Sequence, residues 1–153
     1  MELNIYRKEV DDIYIVYKET LNIALEKWWD EKTFSDMMNE TNSISESILK
    51  AKKAKENAGI NNYARIPSKF FSPDFKPIEN EAVDRLLVLI AGYIATYCSC
   101  YSRIKIDKIA NKVGVDKDTL RDYVERYGDI YDLEYEVEKD RFRRVWRYIK
   151  YRR

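Results

Sequence analysis

The residues with the clearest chemistry stand together at positions 141–153, where Arg141, Arg143, Arg144, Arg147, Lys150, Arg152 and Arg153 occur with no acidic residue among them. This segment carries +7 in a chain of net charge +1, so the other 140 residues sum to −6. Guanidinium groups hold phosphates through charge-assisted, often bidentate hydrogen bonds. Interleaved Phe142, Trp146, Tyr148 and Tyr151 offer rings that can stack on sugars, bases or the protein's own core. The chemistry favoured is non-covalent recognition of a polyanion. A competing use of the same arginines is pairing across a hairpin with Glu134, Glu136 and Glu138, although Lys150, Arg152 and Arg153 have no acidic neighbours in sequence.

Covalent chemistry has few candidates. The chain holds no His to act as a general base, and its four glycines form no phosphate-cradling loop. Cys98 and Cys100 are too close for an unstrained disulfide and supply only two metal ligands, so buried thiols are the expectation. Acidic pairs at Asp11-Asp12, Asp30-Glu31 and Asp129/Asp132 could bind magnesium, but such proximities arise by chance among 27 acids. We expect no enzyme, no metal and no cofactor.

The basic segment needs an element to present it. Leu133, Tyr135 and Val137 alternate with Glu134, Glu136 and Glu138, the period of a half-buried strand, and Lys139-Asp140-Arg141 reads as a turn. A returning strand beginning near Phe142 would complete a hairpin. The alternative is a terminal amphipathic helix, because Phe142, Val145, Trp146 and Ile149 also fall at i, i+3, i+4 and i+7.

Upstream, Ile106, Ile109, Ala110 and Val113 have the same helical spacing, and Gly114 can end that helix in a left-handed conformation. Asp116 can cap a second helix whose buried face is Leu120, Tyr123, Val124 and Tyr127. Over about twenty residues this stretch resembles the helix-turn-helix family. Small Ala110 stands where two helices approach, Gly114 at the turn, and Ile109, Val113, Val115, Leu120 and Tyr123 where the family is apolar, with Tyr123 replacing the usual aliphatic residue. With the hairpin the resemblance extends to the winged variant, which implies double-stranded DNA as partner and transcriptional regulation as role. It presents Lys117 and Arg121 to bases, and Lys105, Lys108, Arg143, Arg144, Arg147, Lys150, Arg152 and Arg153 to the backbone. The same helix face carries Asp116, Asp118, Asp122 and Glu125, a poor surface for deep major-groove insertion. A non-catalytic subunit of a nucleic-acid-handling assembly, using the winged fold for protein contacts, is therefore the alternative.

The N-terminal part has its own organisation. Leu3, Tyr6, Val10, Ile13, Tyr14, Tyr17, Leu21, Ala24, Leu25 and Trp28 recur at three and four, which predicts one long amphipathic helix. A second helix is expected from about Ser43 to Ala58, capped by Asn42 or Ser43 and ended by Gly59; its Lys50, Lys52, Lys53 and Lys55 read as a solvated face. Pro67, Pro73 and Pro77 mark residues 60–78 as a linker, which Phe70, Phe71 and Phe75 would hold packed. The fold class expected is mainly α with a small β-hairpin: a helical segment over 1–59, the linker over 60–78, and a winged helix-turn-helix domain over 79–153. Many archaeal winged-helix dimers are built this way, so a homodimer through the N-terminal helix is expected.

A length of 153 residues with 45% hydrophobic content suffices for a core. The apolar run from Leu86 to Ala95 is too short to span a bilayer, and the charged start of the chain does not read as a signal peptide, so a cytoplasmic protein with no membrane partner is expected. Absence of His and Gln, with abundant Lys, Glu, Ile and Tyr, resembles proteins of thermophilic archaea or their viruses and plasmids.

Overall fold

The computed structural model describes residues 13–40, 63–98 and 102–152. Within them the fold is mainly helical with two small antiparallel sheets. The first departure from expectation comes at its start. Where the spacing predicts a helix from Leu3 to Trp28, Ile13–Tyr17 form a strand, β1, and only Lys18–Glu26 form a helix, α1. The five residues Ile-Tyr-Ile-Val-Tyr are all β-branched or aromatic, types that lose χ1 freedom in a helix and suit a pleated sheet. Their partner is Tyr63–Pro67, strand β2, which pairs antiparallel from Ile13↔Pro67 to Tyr17↔Tyr63.

Strand β2 also corrects the expectation of a linker over 60–78. Pro67 is its last residue, a position where the missing amide does little harm, and a 3-10 turn at Ser68–Phe71 follows. The helix expected near 43–58, with its lysine cluster, lies outside the described residues, as do residues 1–12 and Cys100. A helix not anticipated from the sequence, α2, covers residues 31–40. Asp30 caps it, accepting from the Lys32 amide at 3.1 Å and the Thr33 hydroxyl at 2.8 Å, and these bonds hold its carboxyl below the usual carboxylate range.

Helix α3, Glu81–Tyr97, is the centre of the core. Asn80 caps it by accepting from the Val83 amide at 3.2 Å. From Leu86 to Gly92 every residue is buried, because β2 and α1 pack on it from one side and the C-terminal elements from the other. A helix apolar all round is stable only when covered all round. Each fully buried leucine or isoleucine here contributes roughly 1.5–3 kcal/mol by removal from water.

The C-terminal helices and hairpin follow the expected order, preceded by a short strand that the sequence did not suggest. Arg103–Lys105 form β3, Ile106–Val113 form α4, Lys117–Tyr131 form α5, Leu133–Lys139 form β4 and Val145–Tyr151 form β5. Ile106, Ile109, Ala110 and Val113 are buried, as the spacing predicts, and Gly114 is left-handed at φ 72° with its amide bonded to the Ala110 carbonyl at 2.9 Å. Asp116 caps α5 through the Asp118 amide at 3.1 Å. The tail is a strand, not a terminal helix: β5 lies at the centre of a three-stranded antiparallel sheet in the order β3-β5-β4. It begins at Val145, three residues later than expected, because a turn occupies Asp140 to Arg144.

One aromatic cluster joins the proline-containing stretch to the end of α5. Phe70, Phe75 and Tyr131 have ring centroids 5.5–5.8 Å apart. The Tyr131 hydroxyl donates to Asp84 on α3 at 2.5 Å. Burial raises the Asp84 carboxyl above its usual range, and burial together with the Asp84 bond raises the Tyr131 hydroxyl.

Candidate nucleic-acid interface

The packing of α4 against α5 leaves the N-terminal turns of both helices beside the outer half of β5. A cleft of about 410 Å³ lies between them. Lys105 and Asp107 edge it from the β3–α4 junction, Lys117, Asp118 and Arg121 from α5, and Val145, Trp146 and Arg147 from β5. Four of the ten predicted contact residues, Lys105, Lys117, Arg121 and Arg147, are thus brought together from three separate elements.

Their partners differ in strength. Lys117 stands 3.8 Å from Asp107 and Arg121 3.3 Å from Glu125, both exposed pairs. Such pairs are worth less than about 1 kcal/mol, so a phosphate can displace either carboxylate. The Lys105 ammonium sits 4.3 Å above the Trp146 ring, and exposed Arg147 has no acidic partner among the described residues. Two carboxylates, Asp107 and Asp118, reduce the positive charge of the cleft without cancelling it.

The remaining predicted residues lie elsewhere. Lys108 is exposed on α4. Arg143 and Arg144 sit in the β4–β5 turn, Arg144 bonded to Asp140 at 2.7 Å. Lys150 stands 3.9 Å from Glu136, and Arg152 bonds Asp129 at 2.8 Å, so both have acidic partners that sequence neighbours did not reveal. Arg153 lies outside the described residues. The β4 glutamates therefore do take a cation, but chiefly from β3: the Arg103 guanidinium bonds Glu136 and, at 2.8 Å, Glu138, and lies 4.0 Å from the Tyr148 ring. Burial draws the Arg103 guanidinium down, yet the two glutamates hold it above its usual value.

Arg103 and Asp140 are the structural residues that sequence reasoning passed over. Three residues with no periodicity, Arg103–Lys105, give no strand signal of their own. Asp140 falls in the expected Lys139-Asp140-Arg141 turn, and an Asx residue there is a signal for side-chain bonds to the turn's own amides. Its carboxylate accepts from the Phe142 amide at 2.8 Å, the Arg144 amide at 3.0 Å, Arg144 Nε at 2.7 Å and Trp146 Nε1 at 3.2 Å. Desolvation pushes this carboxyl up, but the donors together outweigh it and hold it below the usual range.

Among the described residues no group of three or more His, Cys, Asp or Glu side chains could hold a metal ion, and no helix is long and apolar enough to cross a membrane. Comparison of the chain with known protein families, curated proteins and solved structures finds no match.

Proposed function

We propose that the chain binds double-stranded DNA as a transcriptional regulator of the cytoplasm, with α4, α5 and the β4–β5 hairpin acting as a winged helix-turn-helix. The observation that supports this most is the cleft where Lys105, Lys117, Arg121 and Arg147 converge from three elements. A single phosphate strand laid along it would meet cations on both walls. Phosphate neutralisation dominates DNA affinity, and exposed, weakly paired cations lose little when they exchange a carboxylate for a phosphate. Asp122 and Glu125, beyond the first turn of α5, argue against full insertion of that helix into the major groove. The apolar residues of α1, Leu21, Ala24 and Leu25, pack inside the chain, so this reading does not draw on dimerisation through that helix.

Fluorescence anisotropy with a random-sequence duplex at several salt concentrations tests the proposal. Binding should weaken steeply with salt, and replacing Lys117, Arg121 and Arg147 together by Gln should make the slope of log K against log salt shallower by up to about 2.7, near 0.9 per lost phosphate contact. An unchanged slope refutes the cleft as the contact. The second reading, a subunit of a larger assembly, is favoured by Trp29, 63% exposed, and Ile23, 45% exposed, on the α1 side of the molecule. It becomes the better one if the chain binds no duplex at low salt.

A further inference from the structure

We propose that the tip of the β4–β5 hairpin is a wedge that enters the minor groove and bends the duplex, with Phe142 as the inserting side chain and Arg141 and Arg143 as flanking contacts to the backbone. The inference rests on the DNA-binding reading above and deepens it.

Phe142 is 63% exposed at the end of a hairpin, where nothing in the fold requires an aromatic ring. Water would favour a turn that tucks the ring away. This turn does the opposite and is fixed in doing so. Asp140 gathers four donors from within the turn and the start of β5, and the Arg143 amide bonds the Asp140 carbonyl at 3.0 Å while the Asp140 amide bonds the Arg144 carbonyl at 3.0 Å. Arg143 itself is held left-handed at φ 64°, an uncommon state for a residue with a Cβ. The cost of that conformation is met by the Asp140 bonds, and the result is a rigid presentation of Phe142 to solvent.

Charge selects the occupant. The Arg141 and Arg144 guanidiniums lie 4.9 and 5.4 Å from the centre of the Phe142 ring, and neither Arg141 nor Arg143 has an acidic partner among the described residues. An apolar ring with the unpaired Arg141 against it and the unpaired Arg143 next in sequence matches a stack of bases between two phosphate backbones. Proteins that bend DNA insert such side chains at a base step from the minor groove and kink the duplex toward the major groove. The placement agrees as well: Phe142 lies in the turn five residues before Arg147, beyond the outer edge of the cleft. A lipid surface would take the same residue types, but one ring gives little apolar area to bury there.

The test uses duplexes of about 30 base pairs with dyes at both ends and 2-aminopurine as the purine of repeated TA steps, which unstack most readily. The full chain should raise energy transfer between the ends and raise 2-aminopurine emission about twofold or more. Phe142→Ala should bind more weakly than the parent but with the same salt slope, and at saturation should return both signals to those of free duplex, while Phe142→Leu should keep part of each. A parent protein that binds without either signal, or a Phe142→Ala variant that bends like the parent, overturns the wedge while leaving DNA binding intact. Absence of binding to any duplex at low salt overturns the DNA reading itself. Vesicles of phosphatidylcholine and phosphatidylserine provide the last arm: binding to them that is lost in Phe142→Ala, with a straight duplex, reassigns the tip to lipid.

Discussion

Gly128→Ala separates helix propensity from packing at the place where the hairpin is held on α5. Glycine in a helix interior is worse than alanine by about 1 kcal/mol, so propensity alone makes this substitution stabilising. The structure requires the opposite sign. Asp132 is left-handed at φ 58° and turns the chain so that Leu133 begins β4 over the last turn of α5. A Cβ on Gly128 would stand 3.2 Å from the Leu133 carbonyl carbon, closer still to its oxygen, and 3.4 Å from Val124 Cγ1. Two of these atoms are backbone, so no side-chain rotation relieves the contact and β4 must move away from the helix.

That movement is shared. Arg152 donates its amide to the Asp132 carbonyl at 2.7 Å, so a displaced β4 pulls on β5, whose Ile149 and Tyr151 are buried. Overpacking a well-filled contact costs about 1–3 kcal/mol, and a backbone neighbour places this one at the upper end. Subtracting the propensity gain leaves a net loss of about 2 kcal/mol. Urea unfolding followed by circular dichroism should show the midpoint fall with an unchanged slope, and the melting temperature should drop by roughly 4–8 °C. A variant that is more stable by about 1 kcal/mol would refute the close seating of β4 on α5.

Gly114→Val should destabilise by about 1–2 kcal/mol and Gly114→Asn by clearly less, because a Cβ at Gly114 meets open space and the cost is the left-handed backbone alone; equal losses in thermal melts would contradict this. Asp84→Asn should keep the acceptor for Tyr131 and remove a buried charge. Burial raises the folded Asp84 carboxyl above its unfolded value, so its contribution is present below the unfolded value and lost as pH rises through the folded one. The variant's advantage over the parent should therefore grow as pH rises above about 4, and a pH-independent difference in urea melts would refute it. The Asp140 carboxyl is shifted the other way: the turn should be intact above about pH 4 and loosen as pH falls through the depressed value, read from the Trp146 indole proton by NMR. Trp28→Phe removes the 2.8 Å bond from Nε1 to the Val113 carbonyl at the end of α4 and should cost about 1 kcal/mol, measurable by urea melts.

What the sequence made legible, and what it hid, follows from the range of each interaction. Helices α4 and α5 were readable because their faces, the left-handed Gly114 and the Asp116 cap are all settled within a few residues. Strand β1 was misread because five consecutive apolar residues satisfy helical spacing as readily as a strand, and the deciding partner, β2, lies more than forty residues away. The prolines that suggested a linker did mark the end of a strand and a turn, yet neither Pro73 nor Pro77 stops the surrounding phenylalanines from packing. Within the basic tail, composition could count the charges but could not divide them. The division comes from the sheet: Lys150 lies opposite Glu134 and beside Glu136, while Arg147 lies opposite Val137, an apolar position with nothing to neutralise it. Alternation on β4 thus leaves Arg147 free at the mouth of the cleft while engaging Lys150 behind it. Any polyanion the hairpin meets should be held by the outer half of β5 and its turn more than by the last residues of the chain. Mutations at Arg143 and Arg147 should accordingly reduce the salt dependence of binding more than mutations at Lys150 and Arg152 do, and the reverse order in anisotropy titrations would place the contact on the opposite end of the strand.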